Sequence, residues 1–168
     1  AGLIKAQKQL ATVYENDTAH QVDIGYVGEV TEIDTGIIVD LLNQGYVPVI
    51  APIGMGAEGE SYNINADYVA AEVAGALCAE KLLLLTDVEG VYKDVDDKSS
   101  FLSQLHMDEA KEYIRGGIIA GGMIPKVEAC LRALEAGAHK AHIIDGRLDH
   151  SILLEIFTSR GIGTMVLP

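Results

Sequence analysis

The residues with the clearest chemical meaning form the hexapeptide Gly-Gly-Met-Ile-Pro-Lys at positions 121–126. Proline is favoured in the first turn of a helix, so Pro125 predicts a helix start with Lys126 in that turn, beside unpaired backbone amides. A cation at this positive end of the helix dipole is unfavourable unless an anion binds there too. The pattern therefore favours a phosphate site at Lys126. A solvated lysine after a glycine loop is the alternative.

Short polar side chains form a second group at Asn63, Asn65 and Asp67, just ahead of a predicted helix. A helix N-cap explains one of these residues well, but not all three. Alternate positions of an extended segment lie on the same side of the chain. The three side chains could therefore face a common polar site.

Thr86 and Asp87 form a third group, because they directly follow the apolar run Leu82–Leu85. In parallel α/β sheets, ligands bind outside the carboxyl ends of the strands, so both residues are placed to meet a nucleotide. A simple turn that uses Asp87 and Gly90 for its backbone angles is the alternative.

Other chemical patterns are weaker. The glycines at 54, 56 and 59 match G-x-G-x-x-G, but a dinucleotide fingerprint runs straight into a helix, and the helical pattern here begins only at Ala66. The sequence contains neither a P-loop motif nor a serine nucleophile elbow. The acidic run Asp94–Asp97 lacks the glycine and glutamate of a calcium loop, and the five histidines show no metal-ligand spacing. We therefore expect no metal site built from side chains alone.

The charge and the apolar pattern limit the possible partners. Lys and Arg number 12 and Asp and Glu 25, and the resulting net charge of −13 disfavours nucleic acid. No apolar run approaches the ~18 residues of a membrane span, and no segment resembles a signal peptide. We expect a cytoplasmic protein, or an organellar one if a transit segment was removed. Cys78 and Cys130 lie in apolar helical patterns, which favours buried thiols.

The elements that must position these residues alternate between apolar strands and helices. Strands are predicted at the amino terminus up to Tyr14, at 22–30, and at Tyr46–Ile53, Lys81–Thr86, Lys140–Ile144 and Thr164–Leu167. Helices are predicted at Thr35–Asn43, Ala66–Cys78, Met107–Arg115, Ile124–Ala136 and Leu148–Phe157. This order indicates an α/β fold with a mainly parallel sheet, which we predict as a single domain over residues 1–168.

Taken together, the motifs resemble those of the N-acetylglutamate kinases, a branch of the amino-acid kinase family. The resemblance follows the chain in order at Asp23–Val30, Pro48–Gly54, Tyr62–Asp67, Leu84–Val91, Gly121–Val127 and His142–Arg147. It implies a three-layer αβα sandwich. It also implies transfer of the γ-phosphoryl group of ATP to the side-chain carboxylate of N-acetyl-L-glutamate, in arginine biosynthesis. Mg²⁺ would be held mainly through the phosphates. Aminoadipate-type kinases are similar and remain an alternative.

The resemblance also implies roles for single residues. Lys126 matches the lysine that neutralises charge on the transferred phosphoryl group, and Asp67 matches the carboxylate that holds the catalytic lysines in place. Asn63 matches a ligand of the acyl-amino acid. The positions that match the nucleotide site are Thr86, Asp87 and Gly90.

The segment Leu154–Thr164 resembles the arginine-inhibited members of this family. In those members His142, Glu155 and Gly161 would contribute to the effector site. The alternative is a helix end followed by a glycine turn. The family also implies a homo-oligomer for the full-length protein.

The family's amino-terminal half, with a second catalytic lysine and a glycine-rich phosphate loop, has no counterpart in this sequence. The sequence opens at Ala1–Ile4 without an initiator Met, as if in the middle of a strand. We therefore expect the nucleotide-binding half of a longer kinase, with little or no turnover in isolation. A catalytically silent ATP-binding module is the alternative.

Overall fold

The computed structural model describes residues 2–15, 18–159 and 161–168, which form ten strands, five α-helices and one short 3-10 helix. The chain divides into two compact units, residues 1–69 and 70–168. Each unit has its own sheet.

The first unit is built around a long antiparallel hairpin of β1 (Ile4–Glu15) and β2 (Thr18–Ile33). Two short strands, β3 (Ile53–Met55) and β4 (Ser61–Asn63), close the sheet in the order β1-β2-β4-β3. Helix α1 (Gly36–Asn43) follows the hairpin and buries Ile38. The amino-terminal strand and this helix are confirmed. Residues 16 and 17 lie outside the described residues.

The apolar run Tyr46–Ile53 was expected to be a buried strand, and that prediction is wrong. Residues 46–52 belong to no strand, and Val47 and Val49 are 88% and 96% exposed. An apolar run shows that its side chains need apolar neighbours, but it does not show that the same unit supplies them.

The glycine-rich stretch after this run forms the β3–β4 hairpin. A Cβ on Gly54 would lie 2.5 Å from Ala6 Cβ and 2.7 Å from Ile64 Cδ1, so close packing explains this glycine. The hairpin leads into β4 rather than directly into a helix, which argues against a dinucleotide fingerprint.

The second unit contains a four-stranded sheet in the order β5-β9-β10-β8. Strands β5 (Leu82–Thr86) and β9 (Ala141–Asp145) are parallel, and β10 (Thr164–Leu167) runs antiparallel to β9. Strand β8 (Gln104–His106) is parallel to β10. The strands predicted for β5, β9 and β10 are confirmed. The stretch before β8 contains a small hairpin, β6 (Val91–Tyr92) and β7 (Phe101–Leu102).

Helices flank this sheet. They are α3 (Met107–Arg115), α4 (Met123–Glu135) and α5 (Ser151–Phe157), while α2 (Ala66–Ala76) precedes β5 in the chain. Helix α4 packs on β5, β9 and β10, and it buries Val127, Cys130, Leu131 and Leu134 at the predicted helical spacing. Helix α5 contacts β9, in which every residue is buried, so both faces of this strand are covered. The predicted α/β fold class is confirmed.

The two cysteines differ in environment. Cys130 is buried as predicted, but Cys78 is exposed, so the prediction was wrong there. Helix α2 ends at Ala76, and Cys78 follows with a left-handed φ of 47°. The N–H groups of Cys78 and Ala79 donate to Gly75 O and Ala74 O, both at 2.9 Å, in the pattern of a Schellman motif.

Among the described residues, no helix combines the length and the apolar character that crossing a membrane requires.

Candidate functional site

A cavity of about 560 Å³ opens at the carboxyl end of β5. The segment 86–92, residues 118–120 and the start of α4 line it, together with Val95, Lys98 and Arg147. Thr86 pairs in register with Asp145, so the ends of the parallel strands β5 and β9 lie at the same edge of the sheet. The fold therefore brings together four predicted site residues, namely Thr86, Asp87, Gly90 and Lys126.

The start of α4 forms one side of this cavity. A Cβ on Gly121 or Gly122 would meet no atom within 4 Å, so the loop backbone is open to an approaching group. The N–H groups of Met123 and Ile124 donate to Ala120 O and Gly121 O at 3.3 and 3.2 Å. Because Pro125 has no N–H, this helix start offers fewer unpaired amides than the sequence predicted. Any attraction for an anion rests largely on Lys126, the fourth residue of α4, and on the helix dipole.

Gly90 is required by packing. Its φ is 155°, and a Cβ at this position would lie 2.5 Å from Thr164 Oγ1 and 2.9 Å from Phe101 Cε2. The Thr164 hydroxyl accepts a hydrogen bond from Val91 N–H (2.8 Å) and donates one to Leu102 O (2.6 Å). The turn that was the alternative interpretation therefore accounts for this glycine without a nucleotide.

Arg147 is a lining residue that the sequence reasoning missed. Its Nε and Nη2 donate to Asp145 Oδ1 and Oδ2 at 3.0 and 2.8 Å, and its backbone N–H donates to Oδ1 at 2.9 Å. These hydrogen bonds lower the pKa of Asp145 to about 2. A guanidinium has five N–H donors, so three remain for a ligand. The available signal was the polar turn Asp-Gly-Arg directly after an apolar strand, the same signal that identified Thr86 and Asp87.

The remaining charges of the cavity are partly paired. Glu89 accepts hydrogen bonds from the Tyr92 hydroxyl and from Lys98 Nζ (3.3 Å), and these two donors lower the pKa of Glu89. The Thr86 hydroxyl donates to Asp87 Oδ1 at 3.2 Å. The lining as a whole carries three cationic and two carboxylate side chains, in a chain whose net charge is −13. Asp145, paired with Arg147, adds a third carboxylate, so the cavity is close to neutral and repels an anionic ligand less than the acidic chain as a whole does.

Asn63 and Asp67 belong to the first unit. Asn63 lies in β4, where it pairs with Val27 and Ile53. Asp67 lies in the first turn of α2. Asn65 Oδ1 accepts hydrogen bonds from the N–H groups of Asp67 (2.8 Å) and Tyr68 (3.3 Å), so the N-cap role belongs to Asn65.

A second, smaller cavity of about 200 Å³ lies where α5 and its following turn meet β9, within the second unit. His142, Glu155 and Gly161 all line it, so the predicted effector residues come together. His142 Nδ1 and Glu155 Oε1 are 2.6 Å apart, and their side chains are 6% and 5% exposed. His142 Nε2 is buried without a hydrogen-bond partner among the described residues.

Backbone N–H groups that follow α5 donate hydrogen bonds to the Glu155 carboxylate. The N–H groups of Ile162 and Gly163 donate to Glu155 Oε2 at 2.6 and 3.2 Å. Gly161 has a φ of 63°, and a Cβ there would lie 2.9 Å from the same oxygen. Burial raises the pKa of Glu155, but the hydrogen bonds from Ile162, His142 and Gly163 outweigh it and leave this pKa below its ordinary value.

Comparison with known proteins identifies the family. Residues 3–145 match the family model "Amino acid kinase family". The chain is 57% identical over 166 residues to the acetylglutamate kinase of Moorella thermoacetica, covering 99% of this chain and 56% of that protein. It is 54% identical over 167 residues to the acetylglutamate kinase of Heliobacterium modesticaldum, covering 99% of this chain and 57% of the relative.

A solved structure shows the same fold. It is the N-acetylglutamate synthase of Neisseria gonorrhoeae complexed with coenzyme A and L-arginine, which superimposes with a TM-score of 0.83 at 28% identity. The match covers 99% of this chain and 37% of that one. The chain spans little more than half the length of the two curated relatives. On its sequence match and its fold, the chain belongs to the amino acid kinase family.

Proposed function

We propose that this chain supplies the ATP site and part of the catalytic site of an acetylglutamate kinase. The observation that carries the proposal is the cavity at the end of β5, where Thr86, Asp87 and Lys126 line one space together with Lys98 and Arg147. The three cationic side chains can donate charge-assisted hydrogen bonds to the phosphates of a nucleoside triphosphate. The 57% identity to an acetylglutamate kinase supports the side-chain carboxylate of N-acetyl-L-glutamate as the acceptor.

Lys126 has the central role in the proposed chemistry. Phosphoryl transfer requires alignment of the reactants and electrostatic stabilisation, with little covalent chemistry from the protein. Lys126 would stabilise charge that develops on the migrating phosphoryl group, while Arg147, oriented by Asp145, would hold phosphate oxygens. The acceptor carboxylate is ionised at neutral pH, so the reaction requires no general base.

The lining residues fit a magnesium ion bound mainly through the phosphates of the nucleotide. Mg²⁺ in kinase sites takes one or two carboxylates, together with phosphate oxygens and water. The described residues contain no cluster of three or more His, Cys, Asp or Glu that could hold a metal. Asp87 is an exposed carboxylate of the lining directly after β5, so it would be the protein ligand. The bound ion would neutralise phosphate charge.

Two residues of the first unit complete the proposal. By resemblance, Asn63 would bind the acyl-amino acid, and Asp67 would hold the catalytic lysines in place. A homo-oligomer for the full-length protein and a cytoplasmic location also rest on the sequence alone and stay predictions.

Calorimetry with the purified chain tests the nucleotide site. We expect MgATP to bind the wild-type chain and to bind Lys126→Ala and Arg147→Met more weakly. Lys5→Ala is the matched control, because Lys5 is a surface cation of the first unit paired with Glu32. A folded chain that binds no ATP at millimolar concentration refutes the proposal.

Turnover assays separate the kinase from its alternatives. We expect little or no ADP release by the chain alone. We expect N-acetylglutamate-dependent release of ADP when this segment replaces its counterpart in the complete Moorella kinase. ATP binding without turnover in that hybrid would favour a silent ATP-binding module. Preference for an aminoadipate-type acceptor would favour that branch of the family.

We also propose that the second cavity binds L-arginine as an effector. Its lining combines the lysines Lys81 and Lys140 with the buried carboxylate of Glu155, which suits a ligand with one carboxylate and one cationic side chain. The similar synthase from Neisseria gonorrhoeae was crystallised with L-arginine.

Calorimetry with L-arginine and with L-citrulline, its neutral analogue, tests this effector site. We expect arginine to bind and citrulline not to bind, because only arginine carries the guanidinium that Glu155 would attract. Equal binding of both, or binding of neither, refutes the site.

A further inference from the structure

One wall of the cavity at the end of β5 is a short piece of backbone that its own sheet holds weakly. Gly90, Val91 and Tyr92 line the cavity, and the last two form strand β6. Strand β6 pairs with β7 in a separate sheet of two strands, which have two residues each. A two-stranded hairpin is only marginally stable by itself. The position of this wall therefore depends on contacts with the rest of the second unit.

The hydroxyl of Thr164 supplies such a contact. It accepts a hydrogen bond from Val91 N–H (2.8 Å) and donates one to Leu102 O (2.6 Å). Val91 and Leu102 are partners in the β6–β7 register, so one hydroxyl joins both strands of the hairpin. Thr164 is fully buried, and hydrogen bonds in such surroundings are stronger than hydrogen bonds exposed to water.

The main sheet holds Thr164 itself in place. Thr164 is the first residue of β10, an inner strand of this sheet, and it pairs with Ile143 of β9. The preceding residue, Gly163, packs so closely on β9 that a Cβ there would lie 2.3 Å from Ile143 O. Met165 N–H, on the other side, donates to Ser103 O at 3.0 Å. The Thr164 side chain is therefore a fixed reference point for the wall of the cavity.

The contact with Thr164 also reaches a cation of the cavity. Tyr92, which follows Val91, donates a hydrogen bond from its hydroxyl to Glu89. Lys98 Nζ donates to the same carboxylate at 3.3 Å and lies 5.1 Å from the centroid of the Tyr92 ring. A shift of β6 would therefore move Tyr92 and Glu89, and the ammonium group of Lys98 with them. Lys98 is one of the three cationic side chains of the lining.

We propose that Thr164 is a positioning residue of the cavity at the end of β5 and that its hydroxyl sets the affinity for the nucleotide. The hydroxyl holds the backbone of Val91, and this contact keeps Tyr92 and Lys98 where a phosphate group can meet them. The described residues that line the cavity do not include Thr164, so it acts on the ligand through Val91. The inference rests on the proposed ATP site.

Calorimetry with MgATP tests the proposal on three variants. Thr164→Val removes both hydrogen bonds and should raise the Kd about tenfold, because the Val91 N–H and the Leu102 carbonyl must find other partners. Thr164→Ser keeps the hydroxyl and should stay within about twofold of the wild-type Kd.

Val166→Ala is the matched control. Val166 is equally buried in the same strand, and the loss of its methyl groups should lower the melting temperature without removing a hydrogen bond. The Kd for MgATP should nevertheless equal that of the wild type. Thermal melts followed by circular dichroism compare the stability of the variants, so that a change in affinity is separated from a change in folding.

Hydrogen exchange in the wild-type chain is a second test, which does not depend on the folding of any variant. The contact with Thr164 and the bound nucleotide should stabilise the same position of β6. MgATP should therefore slow exchange of the Val91 amide at least about threefold. Asp34 N–H, which donates to Leu3 O at 2.9 Å in the first unit, is the reference and should change less.

Three results overturn the proposal and leave the ATP site intact. They are a wild-type Kd for Thr164→Val, an equal loss of affinity in Thr164→Ser or Val166→Ala, and exchange at Val91 that MgATP slows no more than exchange at Asp34. A folded wild-type chain that binds no MgATP instead refutes the proposed ATP site, and this inference with it.

Discussion

The His142–Glu155 pair allows a quantitative prediction, because the acceptors and donors around it are defined. Glu155→Ala removes the acceptor of three hydrogen bonds, from Ile162 N–H (2.6 Å), Gly163 N–H (3.2 Å) and His142 Nδ1 (2.6 Å). Glu155→Gln is the matched variant, since it keeps the shape and one oxygen acceptor but removes the charge.

The expected cost follows from burial. A buried group left without a partner costs about 1–3 kcal/mol. The bond from Gly163 is long, and water from the adjacent cavity recovers part of the loss. We therefore expect Glu155→Ala to lower the free energy of unfolding by about 3–5 kcal/mol. Glu155→Gln should cost about 1–2 kcal/mol, the difference between charged and neutral hydrogen bonds. Both losses are large against a typical total of about 5–15 kcal/mol.

The contribution of Glu155 to the free energy of unfolding should change with pH in a definite direction. The pKa of Glu155 in the folded chain lies below its ordinary value of 4.5. The stabilisation by its ionised form is therefore fully present above that ordinary value and is lost as the pH falls through the lowered pKa. The stability gap between wild type and Glu155→Gln should thus be largest near neutral pH and should shrink below about pH 4.5.

Urea unfolding at a series of pH values measures this gap, because the other carboxylates titrate in both proteins and cancel in the difference. A cost below about 1 kcal/mol for Glu155→Ala would show that the three hydrogen bonds contribute little net stability. A gap that widens towards acid pH would show that the folded-state pKa is raised, contrary to the reasoning.

Three further predictions concern the cavity at the end of β5 and α2. In a complete kinase containing this segment, Lys126→Ala should lower kcat by about 10²–10³ with little change in the KM for ATP, and Lys126→Arg should not restore the full kcat. Steady-state kinetics measures both parameters, and a rise in the KM with an unchanged kcat would refute the prediction. Asp145→Asn should weaken MgATP binding in calorimetry, because Arg147 loses its orientation, whereas unchanged affinity would exclude this role. Cys78→Gly should stabilise the chain by about 0.5–1 kcal/mol, or about 1–4 °C in Tm, because glycine tolerates the left-handed conformation. Cys78→Ala should give no such gain, and the two melting temperatures measure the difference.

Long periodic elements were predictable from the sequence, and elements that depend on a partner were not. The apolar stripe of α4 and the strands β5 and β9 follow from local patterns that the rest of the second unit satisfies. The run at Tyr46–Ile53 has the same apolar content as β5, yet it stays exposed because its neighbours do not cover it. The composition of a segment shows that it requires apolar neighbours, whereas only the fold shows whether those neighbours are present.

The residues of the candidate site also divide into those that a local sequence pattern predicts and those that only the fold brings together. Thr86 and Asp87 were predicted because a strand end locates a ligand site by topology alone, and both line the cavity. Arg147 follows a strand end in the same way, but its fork with buried Asp145 is visible only in the structure. Gly90 was assigned to the nucleotide, although contact with Thr164 already requires a glycine. His142 and Glu155 lie on different elements, and only the family resemblance had connected them.

The charge arrangement of the cavity at the end of β5 limits how a polyanion can be bound. Lys98 and Arg147 are each paired with a carboxylate, so much of the cationic charge of the lining is offset nearby. At long range a nucleotide meets a body with a net charge of −13, screened over about 8 Å at physiological ionic strength. A phosphate would therefore be attracted only at contact distance, by the N–H donors of cationic side chains such as Arg147 and Lys126. Under the proposed function, this makes Mg²⁺ part of recognition as well as chemistry, since the ion reduces the charge that the nucleotide must bring to an acidic surface.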